Sequence, residues 1–249
     1  KVMTGIRRSG KSVMLELIKE ELAEAGVAPS QMISINFEDM RYSHLQTATA
    51  LHDEIIKRAE GIEGKAYLFF DEIQEVEGWE KCVNSLRVAL DCDIYITGSN
   101  AKLLSGELAT YIGGRYVEFV IYPFSFAEFL ELYHTIAPSD SIQQCFQKYL
   151  LAGEMPYLAN LRYEEEPSRQ YLTDLFNSVQ LKDIVKRNKI RDIDLLERII
   201  AYMTANVGTV FSASSLAKFF KNEQRTVAAE TILNYVRYCC DAYLFYQVK

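Results

Sequence analysis

Gly5-Ile6-Arg7-Arg8-Ser9-Gly10-Lys11-Ser12 is the stretch on which the reading of this sequence turns. A glycine, four free positions and then Gly-Lys-Ser is the spacing of a phosphate-binding loop. The preceding run Val2-Met3-Thr4 predicts a short buried strand. The following segment predicts a helix whose inward face carries Val13, Met14, Leu17, Ile18 and Leu22. Gly5 and Gly10 lack a Cβ, so the backbone can turn tightly and bring several N–H groups onto one anion. The positive end of the helix points at the same anion. Lys11 can reach the terminal phosphates, and the Ser12 hydroxyl is placed to ligate Mg²⁺. Arg7, Arg8 and Ser9 fill the free positions and join the phosphate-binding set.

A second stretch completes the first. Lys65-Ala66-Tyr67-Leu68-Phe69-Phe70 is an apolar strand that runs into two adjacent carboxylates, Asp71 and Glu72. Ligands of a parallel α/β sheet gather at the carboxyl ends of its strands, where the phosphate loop also sits. Asp71 is therefore the candidate metal-organising residue, and Glu72 the candidate that polarises an attacking water. Together the two stretches imply nucleoside triphosphate chemistry. The guanine-reading pattern Asn-Lys-x-Asp does not occur, its nearest string being Asn188-Lys189-Ile190-Arg191, so adenine is favoured by default.

Outward from these stretches, strands predicted at Met32–Phe37, Ile94–Thr97 and Tyr116–Ile121 alternate with helices at Leu51–Ala59 and Trp79–Leu90 and a short helix near Leu103–Ala109. This alternation predicts a parallel sheet with right-handed crossovers over residues 1–124. Ser99 and Asn100 follow the fourth strand; they read either as a plain turn or as a polar pair that positions water and senses the terminal phosphate. Arg115, after Gly113 and Gly114, reads either as a surface residue or as a transition-state arginine supplied to a neighbouring subunit or domain. Residues 125–207 read as a helical segment, including a long helix at Ser168–Val185, and the aromatic face of Phe124–Tyr133 as packing. Residues 208–249 read as helix, turn, helix and a strand at Tyr243–Val248, the outline of a winged helix. Its second helix, with Val227, Ile232, Leu233, Val236 and Cys240 inward, exposes Arg225 beside Glu230, so DNA and a protein partner both stand as readings.

Composition bounds the rest. The chain has 249 residues, 49% apolar, enough for a core, and a net charge of −7. Residues 1–139 carry 13 Lys+Arg against 21 Asp+Glu, too acidic for unspecific nucleic-acid binding. Residues 140–249 carry 14 against 13 and are near neutral. No run of eighteen apolar residues occurs, so no membrane span is expected. The five cysteines form no Cys-x-x-Cys pair and read as reduced thiols of a cytoplasmic protein. Both ends read as cut, as if from a longer chain.

The Gly5–Ser12 loop with its double arginine, Phe69-Phe70-Asp71-Glu72-Ile73-Gln74, Thr97-Gly98-Ser99-Asn100, Gly114-Arg115 and Tyr122-Pro123-Phe124-Ser125-Phe126-Ala127-Glu128-Phe129 occur in one order. The whole resembles the prokaryotic, archaeal-type AAA+ ATPases, which carry a helical segment and a winged helix behind the ATPase core. The resemblance implies ATP with Mg²⁺ and an AAA+ sheet order. It implies phosphate and metal binding by Lys11 and Ser12, and a metal-organising and water-activating pair in Asp71 and Glu72. It further implies a polar sensor at Ser99 or Asn100 and an arginine finger at Arg115, which would require a homo-oligomer. For a second sensor arginine, Arg187 and Arg191 are the candidates. The function expected is ATP hydrolysis driving a switch of the attached helical module; the alternative is an ATP-held regulatory switch with little turnover.

Overall fold

In the computed structural model, residues 1–101 and 114–248 are described. The short helix expected near Leu103–Ala109, and Gly113, lie outside them. The chain divides into two compact units, Lys1–Arg169 and Gln170–Lys249.

The first unit is built on five strands: β1 (Val2–Thr4), β2 (Met32–Asn36), β3 (Ala66–Asp71), β4 (Cys92–Gly98) and β5 (Glu118–Val120). All pairings are parallel, in the order β2-β3-β4-β1-β5. Burial explains the order. In β3, Leu68, Phe69 and Phe70 are all fully buried, as a strand covered on both faces requires. Right-handed crossovers send α1 (Lys11–Glu24), which leads from β1 to β2, over one face of the sheet. They send α2 (Ala48–Ala59) and α3 (Trp79–Ala89), which run back the other way, over the opposite face. The larger core accordingly joins Leu51, Ile55, Val83 and Leu86 of these two helices to Leu68, Phe70, Ile94 and Ile96. The smaller joins Leu15 of α1 to Met3, Phe69 and Tyr95.

The inward face of α1 differs from the one expected. Val13 is 61% exposed, Leu17 51%, and Met14 is exposed as well, while Leu15 is buried and Ile18 and Leu22 are partly so. The buried stripe is Lys11, Leu15, Ile18 and Leu22, at helical spacing. Counting only apolar residues turns the helix to the wrong face, because the residue that anchors its first turn inward is a lysine.

After β5, Ser125 caps α4 (Phe126–His134) in a reciprocal capping box with Glu128. Ser141 does the same with Gln144 for α5 (Ile142–Ala152). Phe129 lies at the centre of an aromatic cluster, with Tyr133, Tyr149 and Tyr163 at ring-centre distances of 5.1 to 5.2 Å. The aromatic face is packing.

Helix α6 (Glu165–Ser178) passes without a break into π-helical turns over Val179–Lys186, where one regular helix was expected. The second unit then packs α7 (Ile193–Ala205), α8 (Ala213–Asn222) and α9 (Ala229–Asp241) around Leu195, Ile199, Leu216, Phe220 and Ile232. Of the residues expected inward on α9, Leu233 is instead 54% exposed. The strand expected at Tyr243–Val248 is absent: that stretch is turn and irregular chain. Tyr243 takes a left-handed φ of 57°, and the Leu244 N–H donates back to the Cys239 carbonyl at 3.0 Å. The chain thus closes the end of α9 on itself, as helix-terminating motifs do. Among the described residues the second unit is all helical, and among the described residues of the chain no helix is long and apolar enough to cross a membrane.

Candidate nucleotide-binding site

The sheet places the loop of residues 5–10 at the carboxyl end of β1, between the ends of β4 and β5. Gly5 has φ +144°, and a Cβ there would lie 2.2 Å from the Ile121 carbonyl oxygen. The loop can pass so close to the exit of β5 only without a side chain at this point. Gly10, at φ 103°, turns the chain into α1 with no side-chain cap, leaving the first-turn N–H groups of the helix to whatever fills the loop. Lys11 is 4% exposed, and its ammonium donates to the carbonyls of Gly5 at 3.1 Å and Ile6 at 2.9 Å. Ser9 is buried with its hydroxyl unpartnered among the described residues, an orphaned polar atom within the loop. Ser12 is exposed on the first turn. Arg7 pairs with Glu38 at 2.9 Å, and Arg8 holds a left-handed φ of 65°.

Asp71 and Glu72, 6% and 7% exposed, stand at the neighbouring strand ends. Asn36, the last residue of β2, donates its amide to Asp71 Oδ2 at 3.1 Å. Thr97 of β4 donates its hydroxyl to Asp71 Oδ1 at 2.5 Å and accepts the Glu72 N–H at 2.9 Å. Glu72 is held at φ 54°, ψ 48°, a left-handed backbone that costs a non-glycine residue about 1–2 kcal/mol. This turn takes the Glu72 side chain out of the alternation of β3, and the Gln74 amide donates to its Oε2. Burial pushes the Glu72 carboxyl above its ordinary range, against the opposing pull of the Lys11 charge and the Gln74 hydrogen bond. Ser99 and Asn100, both buried, follow directly where β4 runs between β3 and β1.

Strand order thus gathers Gly5, Arg7, Ser9, Gly10, Lys11, Asp71, Glu72, Ser99 and Asn100 at one edge of the sheet, with Arg8 and Ser12 on its exposed lip. Arg115 is not among them. It precedes β5 and therefore lies at the opposite, amino-terminal edge, exposed, in a cleft of about 360 Å³ shared with Arg87, Asp93 and Tyr116. Sequence reasoning missed Asn36, Thr97 and Gln74. Thr97 and Gln74 stand within the stretches that carry the resemblance, without a role assigned there; the further signal was polarity out of place, a threonine closing Ile94-Tyr95-Ile96 and an asparagine closing Met32–Ile35.

In the second unit, Arg225 does not stand free for DNA. Its guanidinium pairs with Asp192 at 2.6 Å and also with Asp194. Arg187 lies 3.8 Å from the buried Asp183.

A family model described as an AAA domain matches residues 1–130, and one described as a domain of unknown function matches residues 143–249. An uncharacterized protein of Haemophilus influenzae is 38% identical over 250 residues, covering 100% of this chain and 62% of the relative. One of Methanocaldococcus jannaschii is 32% identical over 258 residues, covering 99% and 55%. The chain thus spans a little over half the length of the curated relatives it matches. Among solved structures, Cdc6p from Pyrobaculum aerophilum is similar at 13% identity and a TM-score of 0.43, over 96% of this chain and 78% of that one. With the AAA domain model matching more than half its residues, on a parallel sheet of order β2-β3-β4-β1-β5, this chain belongs to the AAA domain family and has the P-loop NTPase fold of the AAA+ ATPases.

Proposed function

We propose that this chain binds ATP with Mg²⁺ and hydrolyses it, and that the cycle switches the conformation of its helical part. One observation carries the proposal: Lys11, Asp71 and Glu72 are all buried at one sheet edge. Burying charge is costly unless a ligand or partner uses it. The residues fit the nucleotide. The Ser9 hydroxyl is a donor inside the loop with no partner among the described residues, and the Lys11 ammonium is held by carbonyls that phosphate oxygens can replace. Ser12 and Asp71 would hold the magnesium, which when bound neutralises charge on the phosphate oxygens. Glu72 takes the proton of the attacking water; the burial that raises its carboxyl brings it nearer to a working general base. Ser99 and Asn100 orient that water. Arg115, on the far edge, serves the site of a second copy in a homo-oligomer.

A slower reading rests on the same placement. With Arg115 away from its own site, a single copy holds ATP as a switch and turns it over little until it assembles. The partner engaged through residues 208–249 is then a protein rather than DNA, since Arg225 is already neutralised by two carboxylates. A cytoplasmic setting fits the five cysteines, none of them in a disulfide.

Multiple-turnover phosphate release from Mg-ATP, with Glu72→Gln alongside, tests the proposal. The wild type is expected to exceed the variant by about a hundredfold, the usual scale for a positioned general base. Equal release by the two proteins defeats the hydrolysis reading. Turnover per molecule that rises with protein concentration supports Arg115 acting between copies.

A further inference from the structure

We infer that Thr97 is a positioning residue for this site, one hydroxyl that sets Asp71 and Glu72 relative to each other. The inference rests on the ATPase reading above and extends it to a residue on another strand. Thr97 is fully buried in β4, where Ile96 beside it pairs with Phe70, so Thr97 stands level with Asp71. Its Oγ1 has a single proton. Because the Glu72 N–H donates to that oxygen at 2.9 Å, the hydroxyl proton is directed to Asp71 Oδ1 at 2.5 Å. The roles cannot be exchanged, since a backbone N–H only donates and Thr97 is its partner. The two contacts therefore act as one: a shift of Asp71 rotates the hydroxyl and loosens the Glu72 backbone, and the reverse holds.

That backbone is the part most in need of support. Glu72 is one of the few non-glycine residues here with a left-handed φ, and such strain persists only where the surroundings over-determine it. The Thr97 contact fixes Glu72 at its N–H; the Glu75 N–H fixes its carbonyl at 3.1 Å. With both ends tied, the side chain leaves the strand in one direction. Packing alone would be served as well by valine, which has the same shape. A hydroxyl at a fully buried position carries a desolvation cost that its two hydrogen bonds offset. The metal-side and water-side carboxylates are adjacent in sequence and would otherwise point to opposite faces of a strand. Thr97 joins them from the neighbouring strand.

The test compares hydroxyl-bearing with hydroxyl-free side chains at two sizes in the full chain: wild type against Thr97→Val, and Thr97→Ser against Thr97→Ala. Phosphate release is measured across ATP and Mg²⁺ concentrations, and metal-free nucleotide binding with a fluorescent ATP analogue in EDTA. Loss of the hydroxyl is expected to lower kcat by about tenfold to a hundredfold, the scale of a lost hydrogen bond to a charged group. It is also expected to raise the Mg²⁺ concentration for half-maximal rate severalfold and to leave metal-free binding within about twofold. Thr97→Ser keeps a rate within about threefold of wild type. A merely structural role would lower all readouts together and would not separate serine from alanine. If Thr97→Val fails to fold, the serine and alanine pair decides alone. Equal rates for the hydroxyl and hydroxyl-free members overturn the inference while leaving the ATPase reading intact. Failure of the wild type to bind or hydrolyse ATP overturns that reading and this inference with it.

Discussion

Two regions of this molecule hold charges in opposite ways. At the nucleotide edge, Lys11, Asp71 and Glu72 are each less than 8% exposed, and the side-chain hydrogen bonds described for these three are made with neutral groups. Two carbonyls hold the ammonium, an asparagine amide and a threonine hydroxyl hold Asp71, and a glutamine amide holds Glu72. In the second unit, Arg225, Asp192, Asp194, Arg198 and Glu223 have side chains between 29% and 65% exposed and neutralise one another directly. The first arrangement holds each charge in place with dipoles, and the Lys11 charge also acts on the Glu72 carboxyl. The second spends its charges on tying the start of α7 to the turn between α8 and α9. A cluster of charges therefore marks a site when it is buried and held by dipoles, and a fastening when it is exposed and paired.

The sharpest break of this contrast is Lys11→Ala. If the ammonium is held in reserve for phosphate, its removal lowers Mg-ATP affinity by about a hundredfold or more, the value of two or three charge-assisted hydrogen bonds. A fluorescent-nucleotide titration reads this, and a loss below tenfold would mean that the lysine mainly closes its own loop.

Next is Gly5→Ala, which attacks the frame of the same edge. The added Cβ meets the Ile121 carbonyl at 2.2 Å in a backbone region that side chains rarely adopt. A loss of about 2–4 kcal/mol is expected from strain and displacement together. The chain's single tryptophan, Trp79, is buried in α3 of the same unit and reports urea unfolding there by its fluorescence. An unmoved transition would show that the loop gives way to the methyl group.

The smallest effect belongs to Arg225→Ala. The Arg225 guanidinium holds the Asp192 and Asp194 carboxyls below their usual range. For carboxyls so depressed, stability is present above the unfolded value of about 4 and is lost as pH falls through the folded values. Melting followed by circular dichroism should show a modest deficit for the variant at neutral pH. That deficit should shrink toward acid pH and in high salt. Affinity for duplex DNA should not change. A deficit independent of both pH and salt would assign the role of Arg225 to packing.

The parts legible beforehand share a property: they are settled over a few consecutive residues. The loop at Gly5–Ser12 and the strand into Asp71 and Glu72 appeared where their spacing placed them, as did the parallel alternation of strands and helices. What misled was reasoning that needed a neighbour. Val13, Met14 and Leu17 looked inward until the buried Lys11 set the phase of α1. Tyr243–Val248 has the composition of a strand, but the second unit offers it no partner among the described residues, and the chain folds back onto α9. Arg225 looked like a surface cation until α7 brought two aspartates to it.

By itself, then, the amino-acid order determined the chemistry on offer: a loop able to cradle phosphate, a lysine and serine behind it, and two carboxylates at the end of an apolar strand. Local backbone geometry suffices for each of these, because strand, turn and helix periods are short. Tertiary structure alone decided how they meet. Only the order β2-β3-β4-β1-β5 sets Thr97 beside Asp71, carries Asn36 to the same carboxylate, and leaves Arg115 on the far edge. Those relations join residues tens of positions apart, and they exist only after the sheet has closed and taken the intervening backbone out of water.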